Sequence, residues 1–245
     1  MTKLTIIGAG SAVFTKNIVA DLLSLDAFKN MEISLQDIDP IRLKASHELL
    51  KVISHKLNAS PKITSHTDRK KSLVGSDFVQ TTIQVGGYKP STIIDFEIPR
   101  EFGLKQTIAD TLGIGGIMRG LRTIPVLLDI AKDLMEICPN AIWLQYVNPM
   151  CANMIAINNY FPDINTIGLC HSVQGTAEML ANDLDEKIED IEYLCVGINH
   201  MAFYQKFEKK SKGGHNEDLY PKLKNLADKI VSDEKLSSRS NTINH

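Results

Sequence analysis

An α/β fold with a doubly wound, mostly parallel sheet is predicted for the first 190 residues, followed by the start of a second, α+β domain over 191–245. Three observations predict it. Short β-branched runs alternate with longer amphipathic ones, the pattern of strands covered by helices. A glycine-containing turn follows the first run and opens a helical segment. After about residue 190 the alternation gives way to two strand-like runs joined to Leu219 through a polar loop with Gly213-Gly214.

In chain order the predicted strands are Lys3–Ile7, Met31–Leu35, Lys62–Ser65, Asp77–Gln84, Ala141–Val147 and Thr166–Leu169, then Ile191–Val196 and Phe203–Lys209. Between them, Ser11–Leu25 and Ile41–Lys56 have apolar residues at helical spacing. Asp39-Pro40 starts the second of these helices well, with Asp as N-cap and Pro at the first helical position. A helix over Leu121–Ile137 is stopped by Cys138-Pro139-Asn140, and Thr176–Leu184 is a further one. The Ser-, Lys- and Asn-rich tail from Ser232 has no apolar periodicity and is expected to be disordered.

Composition narrows the functional classes. With 245 residues, 43% hydrophobic and 23% charged, the chain has ordinary globular proportions. A formal charge of −2 gives no electrostatic reason to bind nucleic acid or anionic membrane. No apolar run reaches the roughly 20 residues that span a bilayer. The first strand begins almost at Met1, which leaves no room for a signal peptide. Cys138, Cys151, Cys170 and Cys195 show no close paired spacing, so they read as reduced thiols of a cytoplasmic protein.

The turn Gly8-Ala9-Gly10-Ser11 is the strongest local sign of chemistry. The first glycine permits the tight turn, and the second lets backbone approach a pyrophosphate at the helix N-terminus. Val13 stands where the third glycine of a Rossmann fingerprint would be, so helix and strand are expected to pack slightly farther apart. Asp37 ends the second strand at the distance of a ribose ligand, and its charge favours NAD over NADP.

Other polar, glycine-rich stretches lie at the carboxyl ends of strands, the edge where such sheets bind ligands. Gln84–Tyr88 is one. Gln106–Arg119, which includes Asp110, has three glycines within four positions and reads as a loop closing over a site. Asn148 precedes Pro149, which pushes it to extended geometry with its amide at the edge. Cys170-His171 and Asn199-His200 could bring one thiolate and two imidazoles together as a divalent-metal site; a buried thiol with two capping histidines is the other reading.

Taken together these segments resemble glycoside hydrolase family 4. Its motifs occur here in order from Lys3 to Tyr220: GAGS at Gly8–Ser11, Asp37-Ile38-Asp39, Gly86-Gly87-Tyr88, the Ala109–Pro125 stretch, Tyr146–Met150, Gly168–Ser172 and Gly197–Tyr204. The resemblance is nearest to the α-galactosidase (melibiase) branch, where the metal cysteine is followed by His, as in Cys170-His171. The absence of arginine between Gly87 and Arg100 favours a sugar without phosphate.

The resemblance implies an NAD- and Mn²⁺-dependent hydrolase of small α-galactosides rather than a two-carboxylate glycosidase. In that route NAD⁺ accepts a hydride from C3 of the sugar, the C2 proton is removed beside a divalent metal, and the C1–O bond breaks by elimination. It implies Gly8, Gly10, Ser11 and Asp37 for NAD, Cys170 and His200 for the metal, Asn148 for sugar hydroxyls, and His171 and Asp110 for catalysis. A homo-oligomer is implied for the full-length form. Family members are considerably longer, and the tyrosine resembling the C2 base lies beyond residue 245; neither Tyr204 nor Tyr220 aligns with it. An inactive NAD-binding fragment is therefore an alternative, as is a 2-hydroxy-acid dehydrogenase using Arg119 or Arg122. α-Glucoside and α-galacturonide are the alternative substrates.

Overall fold

The computed structural model describes residues 1–107, 109–211 and 213–232. The chain forms two compact units, one of Met1–Leu104 with Ala109–Leu169, the other of Lys105–Ile108 with Cys170–His245. This division falls before residue 190, where the sequence changes character, because the helix over Ser172–Asp183 packs with the later strands.

The first unit is a six-stranded parallel sheet of β1 (Lys3–Ile7), β2 (Glu32–Gln36), β3 (Lys62–His66), β4 (Phe78–Thr81), β5 (Ile142–Gln145) and β6 (Thr166–Gly168). The strand order is β3-β2-β1-β4-β5-β6, so the order reverses between β1 and β4. That reversal opens a crevice at the carboxyl ends of β1 and β4. Helices α1 (Ala12–Ser24) and α2 (Pro40–Lys56) cover one face, with Val19, Leu23, Leu43 and Leu50 packed on Leu4, Ile6, Ile33 and Leu35. Helix α5 (Gly113–Ile137) covers the other, with Leu127, Ile130, Ala131 and Leu134 on Ile7, Val79 and Trp143. Burial on both faces is why the central strand β1 is nearly continuous in apolar residues, whereas the edge strands β3 and β6 are part-exposed and more polar. Trp143 satisfies its one donor by giving Nε1–H to Thr81 Oγ1 at 2.7 Å.

Several elements depart from the sequence reading. Three helices of the first unit were not expected, α3 (Arg69–Leu73), α4 (Ile93–Glu101) and α6 (Met150–Tyr160), nor was the helix over Tyr220–Ser232 in the second. The first is too short to show a period; the second holds Pro99 and follows Gly86-Gly87 and Pro90, all loop signals. The expected strand to Gln84 stops at Thr81, where the chain turns through Gly86 and Gly87, both at positive φ.

The glycine-rich stretch before Arg119 is the main correction. Gly113, Gly115 and Gly116 are not loop; they form the first turn of α5. A Cβ on Gly115 would lie 2.4 Å from the Ala109 carbonyl oxygen, and one on Gly116 2.5 Å from that of Thr111. These glycines serve close backbone contact, which outweighs the roughly 1 kcal/mol each loses in helix propensity.

In the second unit, β7 (Ile191–Ile198) and β8 (Met201–Lys209) form an antiparallel hairpin, to which β9 (Glu217–Asp218) adds. Helix α7 (Ser172–Asp183) supplies Ala177 and Ala181 to a core with Ile191, Phe207 and Leu219. Helix α8 (Tyr220–Ser232) closes the described chain. The expected disordered tail lies, past Ser232, outside the described residues.

Candidate functional site

The crevice at β1 is a backbone cradle. Gly8 sits at φ +85°, and a Cβ there would lie 2.3 Å from the Thr82 carbonyl oxygen, so no other residue fits. The amides of Gly8 and Ala9 both donate to Gln36 O at 2.9 Å, tying the turn to β2. Ser11 precedes α1 and makes no side-chain cap, so its hydroxyl does not close the helix N-terminus. A helix N-terminus with its N–H donors and its positive dipole end suits a pyrophosphate.

Asp37 faces this turn. Its Oδ2 accepts from Gly10 N at 2.7 Å and its Oδ1 from Asp39 N at 2.9 Å. Each oxygen keeps a second lone pair, enough to receive ribose hydroxyls. Asp39 is the cap of α2, accepting from Ile41 N at 2.9 Å and Arg42 N at 3.1 Å. Val13 does not separate helix from strand: its side chain is 65% exposed, so it points away from the sheet.

A polar cluster stands at the carboxyl end of β5 in the same unit. Asn148 donates from Nδ2 to Asp110 Oδ2 at 3.1 Å, and Thr111 Oγ1 donates to Asp110 Oδ1 at 3.3 Å. Arg119 donates from Nε to Asn148 O at 3.2 Å and holds Asp110 at 3.8 Å. Burial lowers the Arg119 pKa, with Asp110 and then Asp95 opposing it. Asp110 and Asn148, assigned to catalysis and sugar from the resemblance, are thus one hydrogen-bonded pair. Arg122 forks onto the buried Asp95 at 2.8 and 2.6 Å, so its guanidinium plane is engaged and does not offer the bidentate carboxylate grip a hydroxy-acid dehydrogenase needs.

The second unit holds the Cys170–His200 pair. Cys170 Sγ is 3.5 Å from His200 Nε2, and Ser172 Oγ lies 3.0 Å from the sulfur and 3.2 Å from the same imidazole nitrogen. His200 occupies the tip between β7 and β8 at φ +62°, a left-handed conformation rare outside glycine. Gly197 lets the hairpin close, since a Cβ there would meet Met201 O at 2.4 Å. The pair lines a pocket of about 150 Å³ with Ser172, Cys195, Gly197 and Asn199 among its walls. The His200 imidazole, then the Ser172 and Asn199 hydrogen bonds, draw the Cys170 thiol down to about 6 against the opposing effect of burial.

A thiolate and an imidazole held nitrogen to sulfur, with Asn199 Oδ1 buried and lacking a partner among the described residues, form a donor set that fits a divalent metal. Among the described residues no group of three or more His, Cys, Asp or Glu gathers, so any such ion keeps open positions. His171 is exposed at the residue before α7. Cys138 is buried and its thiol is pushed up to about 11. The hydroxyls of Tyr204 and Tyr220 are bound to the carbonyls of Val173 and Tyr204, so both phenols serve packing.

Sequence reasoning missed Ser172 and Asn199 as partners of the sulfur, and weighed Arg119 only as a clamp for a hydroxy acid. Ser172 lies two residues from Cys170, a spacing that could have revealed it.

The family model for family 4 glycosyl hydrolases matches residues 3–186. The chain belongs to this family. It is 50% identical over 227 residues to the α-galactosidase of Bacillus subtilis (strain 168), covering 93% of this chain and 51% of that protein. To the α-galactosidase of Rhizobium meliloti (strain 1021) it is 37% identical over 203 residues, 82% of this chain and 41% of that protein. A 6-phospho-α-glucosidase from gut microorganisms, solved in complex with NAD and Mn²⁺, shares the fold at a TM-score of 0.81 and 24% identity, over 92% of this chain and 50% of that one. The chain therefore spans about half the length of the family relatives it matches. Among the described residues no helix is long and apolar enough to cross a membrane.

Proposed function

We propose that the chain carries the NAD and metal sites of a cytoplasmic α-galactosidase that acts on small α-galactosides without a phosphate and assembles as a homo-oligomer when full length. The observation that carries this reading is the Cys170–His200 pair, held 3.5 Å apart at a hairpin tip beside open space. Cys170 Sγ and His200 Nε2 are the metal ligands, and sugar hydroxyls and water take the remaining positions. By softness the pair would also accept Zn²⁺; Mn²⁺ is favoured by the resemblance and by the ion in the related structure.

Gly8, Gly10 and the first turn of α1 take the pyrophosphate of NAD, and Asp37 takes the adenosine ribose. NAD, when bound, supplies a hydride acceptor and donor; the metal supplies a Lewis acid that acidifies a carbon next to a ketone. The residues of the chain orient and move protons around these. Asn148 donates to sugar hydroxyls, with Asp110 fixing its amide. His171 protonates the leaving oxygen.

The deciding experiment is hydrolysis of p-nitrophenyl α-galactoside with NAD⁺ and Mn²⁺ present, each omitted in turn, beside the α-glucoside and α-galacturonide. Turnover that needs both cofactors and prefers the galactoside is expected. Equal turnover without NAD⁺, or tighter binding of galactose 6-phosphate than galactose, would defeat the reading. One observation favours a second reading, an NAD-binding portion without turnover: the hydroxyls of Tyr204 and Tyr220 are held by carbonyls. It is met if NAD⁺ binds and no galactoside is cleaved.

A further inference from the structure

The segment that presents Asn148 is pinned at more points than a strand-to-helix turn requires. Gln145, at the end of β5, accepts from Val147 N at 3.1 Å through Oε1. Asn153, in α6, donates from Nδ2 to Val147 O at 2.9 Å. Both polar groups of the Val147 main chain are thereby fixed by side chains that are fully buried. One residue on, Arg119 takes the Asn148 carbonyl and Asp110 takes the Asn148 amide. Behind them α5 approaches closely, with a Cβ on Gly120 only 3.3 Å from Pro149.

The two buried amides are poor choices for packing alone. Gln145 Nε2 and Asn153 Oδ1 find no partner among the described residues, so each side chain keeps half its hydrogen-bonding capacity unmet in the interior. An apolar residue of similar volume would avoid that penalty. What the amides do provide is a fixed peptide one residue before Asn148, which neither apolar packing nor the sheet ladder gives.

We infer that Gln145 and Asn153 are positioning residues, a two-sided clamp on the Val147 peptide that sets where Asn148 presents its amide to substrate. The inference rests on the reading of Asn148 as a sugar ligand, and extends it to two side chains that touch neither sugar nor cofactor. Preorganisation of this kind is how a binding group gains selectivity without new contacts to the ligand.

The test uses Gln145→Met and Asn153→Leu in this chain, read by hydrogen exchange in ¹⁵N NMR spectra. The single tryptophan reports the sheet through its indole N–H on Thr81. With that signal retained, each variant should speed exchange at Arg119 Nε–H by about tenfold, the weight of one hydrogen bond. Unchanged Arg119 exchange in a folded variant overturns the clamp. If the variants do not fold, the parent chain still decides: Val147 N–H must exchange as slowly as the Trp143 indole, and a fast Val147 amide overturns the proposal.

A second arm titrates methyl α-galactoside with NAD⁺ and Mn²⁺ present. Weakening by about tenfold with NAD⁺ affinity unchanged is expected if the clamp acts through one sugar hydrogen bond. Equal sugar affinity in a variant whose Arg119 Nε–H exchange has quickened removes the role toward substrate. Failure of the parent chain to bind the sugar removes the glycosidase reading, while the exchange measurements, which need no sugar, continue to judge the clamp.

Discussion

The backbone cradle at β1 and the Cys170–His200 pocket are built from opposite materials. The cradle is mostly main chain: two glycines, the N-terminus of α1 and one carboxylate, set at central strands buried on both faces. The pocket is side chain: a thiol and an imidazole 30 residues apart, one before a helix and one on a hairpin tip. That hairpin turns Val196, Ile198, Met201 and Phe203 to solvent, so far less packing supports it. A site made of backbone tolerates changes of side chain and fails when a Cβ is added. A site made of side chains fails when one atom changes.

The largest expected effect follows at the pocket. Cys170→Ser and His200→Ala should each abolish Mn²⁺ binding in a calorimetric or electron-resonance titration, with NAD⁺ binding kept. Parent-like Mn²⁺ affinity in both variants would move the metal elsewhere. Proton competition supplies a pH test. The Cys170 thiol, drawn down from 9.0 to about 6, is mostly thiolate at neutral pH. Below about 6 it protonates and competes with the ion for sulfur, so Mn²⁺ affinity should fall as pH drops through that value. A flat profile between pH 7 and 5 would exclude sulfur as a ligand.

The same contrast explains what was legible in the sequence. Gly8, Gly10, Asp37 and the Asp39 cap each follow from a spacing rule whose physical cause is a turn, a helix end or a strand end. At the Gly8 turn and the Asp39 cap structure and sequence agree, because the rule and the contact are the same thing. The pocket has no such rule: strand-end placement made Cys170, His171 and His200 one candidate constellation beside a structural alternative, and the family resemblance singled out the pair Cys170 and His200. The glycines of α5 show the reverse failure. Propensity made Gly113, Gly115 and Gly116 a loop, and at Gly115 and Gly116 close approach to the backbone of Asp95, Ala109 and Thr111 overrode it. Gln145 and Asn153 looked like any polar residues beside a strand and a helix, because their role is visible only once Val147 is seen between them.

The next effect in size concerns the cradle. Gly8→Ala places a methyl against the Thr82 carbonyl at a backbone φ of +85°. The left-handed conformation costs about 1–2 kcal/mol and the overpacking about 1–3 kcal/mol, so urea unfolding should shift clearly and NAD⁺ binding should be lost. Asp37→Ala should act more mildly, weakening NAD⁺ by about 1–3 kcal/mol, the scale of a hydrogen bond to a charged group. Unaltered NAD⁺ affinity in a calorimetric titration of Asp37→Ala would take that carboxylate out of the site.

The smallest effect has the opposite sign and sharpens the claim that glycines here differ by surroundings rather than by count. Gly175 lies inside α7, its φ is not in the left-handed region, and an added Cβ would meet nothing within 4 Å. Nothing at this position calls for glycine, and glycine in a helix loses backbone entropy that alanine does not. Gly175→Ala should therefore stabilise the chain by about 0.5–1 kcal/mol in thermal or urea unfolding. Mn²⁺ affinity should be unchanged, because the residue lies outside the pocket walls formed by Cys170, Ser172, Asn199 and His200. Destabilisation of a size like that expected for Gly8→Ala would show that α7 is packed more tightly than the open space around Gly175 implies. A gain in stability with loss of Mn²⁺ would show instead that the pocket depends on looseness in the first turns of α7.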